Sequence, residues 1–134
     1  MKGHARHLMT EHVFALTPGT LLSEVARIFA ANGLSGAPVV DDEHRVLGFL
    51  SETDLLGSLL RGDQEESTAG DVMTQPAVVV DEFTPTDEVM NVLRQGDIHH
   101  VPVVREGRLM GIITPRDILK YVVEHTLPPP EELA

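Results

Sequence analysis

In the run GIITPRDIL, residues 111–119, an apolar stretch gives way to Thr114, Pro115, Arg116 and Asp117. A hydroxyl, a guanidinium and a carboxylate thus fall within four residues. Two chemistries are open to them. One is helix capping, with Thr114 as N-cap, Pro115 at the first helical position and Asp117 completing a capping box in place of the usual Glu. The other is recognition. At a helix N-terminus the same groups form a cradle for a phosphorylated sugar, because that end attracts anions and a guanidinium grips phosphate through paired hydrogen bonds. Ser51-Glu52-Thr53-Asp54 repeats the spacing without the arginine.

The elements that must position these groups are duplicated. Met9-Thr10 recurs as Met73-Thr74, an offset of 64 residues that also carries Thr20 to Thr84, Glu24-Val25 to Glu88-Val89, and Pro38-Val39-Val40 to Pro102-Val103-Val104. One residue is then lost, so that Gly48, Ser51 and Asp54 correspond to Gly111, Thr114 and Asp117. Such self-similarity is the signature of a repeated structural unit.

Each copy has the same pattern. VFAL and AVVV are short β-rich runs. Two stretches with apolar residues at helical spacing follow, with Leu21, Val25, Ile28 and Phe29 on one face of the first and Val89, Val92 and Leu93 on one face of the second. APVV and VLGFL flank a polar turn, as do VPVV and LMGII, where Gly107 is free to take positive φ. A second helix closes each copy. The expected fold class is α/β: two tandem β-α-β-β-α repeats packed around a pseudo-twofold axis. The first repeat is expected over residues 7–61, a linker over 62–70, the second repeat over 71–126 and a flexible acidic tail over 127–134.

Composition narrows the function. The chain has 134 residues, 42% of them apolar and 4% aromatic, so its core is aliphatic. Ten Lys and Arg against 21 Asp and Glu give a net charge of −11, which repels phosphate backbones and anionic lipid. Nucleic acid and membrane are therefore not expected partners. There is no Cys, which removes thiolate nucleophiles, disulfides and cysteine metal sites. Without a signal-peptide core or a spanning segment of roughly 20 apolar residues, a cytoplasmic location is expected. No Walker-type loop, zinc motif or recognisable nucleophile–base pair argues for an enzyme. His4, His7, His12, His99 and His100 match no standard metal spacing. Lys2 and Arg6 read as solvated charge, and Met73, Met90 and Met110 as packing.

Two copies of Met-Thr, an extended run, an amphipathic helix, a Pro-Val-Val strand and Gly-x-x-Ser/Thr-x-x-Asp resemble a tandem pair of cystathionine-β-synthase-type (CBS) domains, a Bateman module, over about residues 7–126. The resemblance implies a stand-alone, non-enzymatic regulatory module. It would bind AMP, ADP or ATP in clefts between its repeats, form a homodimer, require no cofactor and signal to a regulated protein. It also implies which residues line two unequal clefts. In the stronger, Asp117 holds the ribose hydroxyls with Thr10 nearby, and Thr114 and Arg116 meet the phosphate. Adenine there lies near Ala15 and the loop Leu34-Ser35-Gly36-Ala37, and His99 and His100 reach the phosphates. In the weaker, Ser51 and Asp54 remain, Thr74 lies near the sugar and adenine faces Val79 and Ile98, with uncharged Ser35 and Gly36 in the place of the histidines. That cleft is expected to take adenosine-like ligands or weakly held nucleotides. The alternative is an interaction scaffold whose clefts are empty or hold another adenosyl ligand such as S-adenosylmethionine.

Overall fold

The computed structural model describes residues 3–62, 66–96 and 98–131. Its elements follow the duplication. In chain order they are α1 (Ala5–Leu8), α2 (Leu22–Asn32), β1 (Gly36–Val40), β2 (Val46–Ser51), α3 (Glu52–Leu60), α4 (Ala69–Val72), β3 (Val80–Asp81), α5 (Thr86–Leu93), β4 (Val101–Arg105), β5 (Arg108–Ile113) and α6 (Pro115–His125). The antiparallel hairpins β1-β2 and β4-β5 correspond, each with a register shift at the second of its two central valines, and β3 adds in parallel to β4. The hairpins meet at their turns, where Val46 N donates to Gly107 O and Leu109 N to His44 O. Glu106 and Gly107 take the positive φ expected of that turn.

Some local expectations are corrected. VFAL forms no strand: only Leu16 reaches β1, through a single parallel bridge to Val39. Leu21 is the residue before α2 and is exposed, while Leu22 takes its place in the core with Val25 and Phe29. The connector shortens, because Ala69 and Gly70 open α4 under a Thr68–Asp71 capping box. Residues 63–65 of that connector, 132–134 of the tail and Lys2 lie outside the described residues. Arg6 is more than solvated charge, with its guanidinium carbon 4.9 Å from the centre of the Phe83 ring.

The short helices α1 and α4 reveal how the repeats are joined. α1 opens the first repeat, yet Ala5 and Leu8 are buried with Val80, Val89, Val101, Val103 and Ile113 of the second. α4 opens the second repeat, yet Ala69 is buried with Leu22, Val25, Val39 and Leu50 of the first. Each repeat therefore completes its core with the leading segment of the other. Main-chain bonds fix the exchange: Ala5 N donates to Thr84 O at 2.8 Å and Arg6 N to Glu82 O at 2.9 Å. Glu82 is itself buried and held by Arg105, whose Nη2 donates to Oε1 at 2.9 Å.

Beyond each short helix the Met-Thr pair crosses the partner hairpin. Thr10 exchanges two main-chain bonds with Ile112, at 2.9 and 3.0 Å, and Thr74 does the same with Phe49, at 2.9 and 2.8 Å. The crossing is tight enough to dictate glycine. A Cβ at Gly111 would lie 2.8 Å from Thr10 O and 2.7 Å from Met9 Sδ, and one at Gly48 would lie 2.6 Å from Thr74 O. Backbone cannot yield as a side-chain tip can, so overpacking here costs about 1–3 kcal/mol. Gly111→Ala is expected to lower stability by that amount in urea unfolding, whereas Gly19→Ala, with open space around its new methyl, should change it by less than about 0.5 kcal/mol.

Candidate functional site

The α6 N-terminus is capped as its sequence requires. Thr114 is the N-cap, Pro115 the first helical residue, and Thr114 N donates to Asp117 Oδ2 at 2.9 Å. Asp117 reaches further than its own helix. Thr114 Oγ1 also donates to Oδ2, at 3.1 Å, and Thr10 Oγ1 donates to Oδ1 at 2.8 Å from the opposite repeat. A carboxylate offers about four acceptor positions, so one remains, on Oδ1 beside an exposed threonine oxygen that can itself accept. That is an arrangement for a pair of hydroxyl donors. Arg116 stands exposed between Thr114 and Asp117 and forms no ion pair among the described residues. A cavity of about 220 Å³ also borders Asp117, between α1 and α6, lined by His7, Lys120, Tyr121, Glu124 and His125 among others.

The corresponding site at α3 is looser. Ser51 Oγ accepts from Asp54 N at 3.1 Å, and Thr74 Oγ1 lies 3.4 Å from Asp54 Oδ2. No capping box engages the carboxylate, so it is more available than that of Asp117. Here the repeats enclose a cavity of about 400 Å³, lined by Ser35, Phe49, Ser51, Glu52, Thr53, Asp54, Thr74, Ala77, Val78, Ile98, His99 and His100.

That lining redistributes the expected residues. Ser51, Asp54, Thr74 and Ile98 lie together as expected for this cleft, but Val78 rather than Val79 forms its wall. Val80 is anchored in the core by pairing with Val103, and in an extended chain the residue two back shares its side. His99 and His100, expected beside Arg116, instead face the α3 N-terminus. His100 Nε2 shares a 2.9 Å hydrogen bond with Ser35 Oγ, and its ring stacks on Phe49 at a centroid separation of 5.0 Å. Phe49 lies two residues before Ser51 on β2, which ties the imidazole to this cleft.

The loop expected near Asp117 divides as well. Ser35 lines the Asp54 cavity, and Leu34 packs in an apolar groove between α2 and α3. Gly36 is small because a Cβ would meet the Phe49 ring at 2.6 Å, and the Ala37 methyl is buried in the first core. Ala15, half-buried, precedes the Leu16 bridge to β1. Sequence reasoning missed Phe49 as a site residue, although an aromatic where the second copy has Ile112 is a signal of a special environment. Among the described residues no three His, Cys, Asp or Glu side chains are grouped to hold a metal ion, and no helix is long and apolar enough to cross a membrane.

Comparison with known proteins accounts for the duplication. The profile of the CBS domain matches residues 5–61 and again 69–124. The uncharacterized protein MJ1225 of Methanocaldococcus jannaschii is 32% identical over 87% of this chain, which spans only 42% of that protein. Hypoxic response protein 1 of Mycobacterium tuberculosis is 29% identical over 92% of this chain and 87% of its own length. Its crystal structure, with two coordinated zinc ions, superposes with a TM-score of 0.80 at 28% identity, covering 89% of this chain and 98% of the other. CBSX2 in complex with AMP matches in fold, with a TM-score of 0.81 at 24% identity over 90% and 96% of the two chains. So does the CBS domain pair of protein MJ0100, in complex with 5-methylthioadenosine and S-adenosyl-L-methionine, with 0.78 at 22% over 90% and 96%.

His100 provides a test of the described site. Burial lowers its pKa below the ordinary 6.5, the neighbouring His99 adds to the effect, and Glu52 opposes it. A histidine held neutral in the fold contributes stability that is fully present above 6.5 and lost as pH falls through its folded pKa. The unfolding midpoint should therefore decline on acidification below 6.5, and less so in His100→Gln. Proton NMR should find the His100 ring titrating below 6.5; a midpoint above it would contradict this environment.

Proposed function

This chain belongs to the CBS domain family, as a tandem pair of the domains, and we propose that it is a non-enzymatic regulatory module of the cytoplasm. It binds adenine nucleotides, AMP, ADP or ATP, in the cleft between its two repeats and signals occupancy to a partner protein. One observation carries the reading. In both clefts a threonine of one repeat hydrogen-bonds to an aspartate of the other, Thr10 to Asp117 and Thr74 to Asp54. A ribose offers two adjacent hydroxyl donors, and each Thr–Asp pair offers acceptors on both sides of the repeat boundary. Arg116 adds a fork for phosphate at the Asp117 cleft. The AMP and S-adenosyl-L-methionine complexes of the same fold are in keeping with adenosyl chemistry in such clefts.

The Ser35–His100 contact does not point to hydrolysis. A hydroxyl and an imidazole touch, but among the described residues no carboxylate hydrogen-bonds the ring to orient it, and the imidazole is packed on Phe49. Homodimerisation is part of the proposal. Leu56 and Leu60 on α3, and Leu119 and Val123 on α6, are large apolar residues at helical i, i+4 spacing, each more than half exposed. The scaffold alternative, with a phosphate-free adenosyl ligand, is favoured by a single feature: no Lys or Arg lines the Asp54 cavity among the described residues.

Thermal unfolding of nucleotide-free protein with AMP, ADP, ATP and S-adenosylmethionine tests the reading. A ligand at a hundred times its dissociation constant stabilises by about 2.7 kcal/mol, a rise of several degrees for a chain of this size. Arg116→Ala, at an exposed site without an ion pair among the described residues, should leave the unliganded midpoint nearly unchanged and abolish any dependence on phosphate number. Asp117→Ala should lose the shift induced by AMP, ADP or ATP, and also about 1 kcal/mol of intrinsic stability with its cap. No shift with any of the four ligands in the wild-type chain would overturn the proposal.

A further inference from the structure

We propose that the Asp54 cleft selects a phosphate-free adenosyl ligand and that Glu52 is the residue that excludes phosphorylated ones. The inference rests on the nucleotide-binding reading above and assigns its two clefts different ligand classes. Glu52 occupies the first position of α3, and Arg116 the second of α6, so the two helix N-termini present side chains of opposite charge.

The remaining groups of the Asp54 cavity reinforce the difference. Glu52 and Asp54 both line it, giving two carboxylates and no lysine or arginine among the described residues. Two of the helix amides that would otherwise receive a phosphate are engaged, Glu52 N by Ser35 O at 2.9 Å and Asp54 N by Ser51 Oγ at 3.1 Å. His100 spends its Nε2 on Ser35, and its burial disfavours the charged ring. A phosphate entering this cavity meets a carboxylate with no lysine or arginine among the described lining residues, Arg61 lying instead along a second cavity that Thr53, Asp54 and Thr74 also border, and like charges brought together oppose binding.

A neutral ligand meets no such barrier. Among the described residues the Asp54 carboxylate is bound by one long hydrogen bond and can accept from a ribose diol, and Phe49, Ala77, Val78 and Ile98 supply apolar surface for a purine. An adenosyl compound with a positively charged sulfonium or amine would be accommodated on the same grounds. The class is defined by the missing phosphate.

Calorimetry on the full, nucleotide-free chain with AMP and adenosine tests the assignment, and the His99 and His100 ring signals in NMR report which cleft fills. In the wild type, AMP should saturate at one equivalent without moving those signals. Adenosine added to the AMP-saturated protein should then bind and shift them. In Glu52→Arg a second AMP should bind at least about tenfold more tightly than in the wild type, since charge-assisted bonds to phosphate become available. Because arginine at a helix N-terminus opposes its dipole, Glu52→Gln serves as a second variant, with a gain of about threefold from charge removal alone. The assignment is overturned if AMP fills both wild-type clefts with similar affinity, if adenosine adds nothing to AMP-saturated protein, or if neither variant gains AMP affinity. Failure of both ligands to bind the wild type would overturn the nucleotide reading itself, a result distinct from any of these.

Discussion

The crossing of Met9-Thr10 over Gly111, and of Met73-Thr74 over Gly48, is the contact on which the rest of the molecule depends. Each crossing is a pair of main-chain hydrogen bonds laid against a hairpin where no side chain fits. It hands α1 to the second core and α4 to the first. Removing either segment would open a core to solvent, because a buried leucine such as Leu8 contributes on the order of 2–5 kcal/mol against truncation to alanine. Neither repeat is then a self-sufficient unit. The physical units cross the boundaries of the sequence repeat.

The exchange also creates the clefts. Thr10 and Thr74 are where they are because the main chain on either side is pinned across the partner hairpin, and their hydroxyls arrive at Asp117 and Asp54 as a consequence. A side chain placed by backbone pairing loses little freedom on binding a ligand, and preorganisation of this kind is how a shallow site gains affinity. Capping and recognition do not compete for Asp117. Its Oδ2 serves the helix and its Oδ1 faces the other repeat.

Much of this was legible in the residues. The constant offset revealed the duplication, the periodicities identified α2, α3, α5 and α6 and both hairpins, and Thr114-Pro115-Arg116-Asp117 correctly signalled a capped helix. What escaped was non-local. α1 and α4 are four residues long, too short for any periodic signal, and they exist because tertiary burial of Ala5, Leu8 and Ala69 supports them. The placement of His99 and His100 escaped for a related reason. Sequence positions them before β4, but which cleft they face is decided by Ser35 and Phe49, 65 and 51 residues away. Gly36, expected near adenine, lies instead against the Phe49 ring.

The relocation of the two histidines changes the electrostatic logic of the molecule. With a net charge of −11, an anion is attracted only where a local cation overcomes the field. Had the histidines stood beside Arg116, one cleft would have been strongly basic and the other bare. Instead Arg116 stands at the α6 N-terminus without an ion pair among the described residues, and His99 and His100 line the cavity with Glu52 at α3. The two clefts therefore differ in kind as well as in strength, one beside the permanent charge of Arg116 and the other lined by two carboxylates and by a His100 whose burial disfavours its charged form. Ser35 and His100 lie on different repeats and both line the Asp54 cavity. Thr10 and Asp117 span the same pair of repeats on the other side, so the two clefts lie against one shared boundary, and the contacts that fix it belong to both.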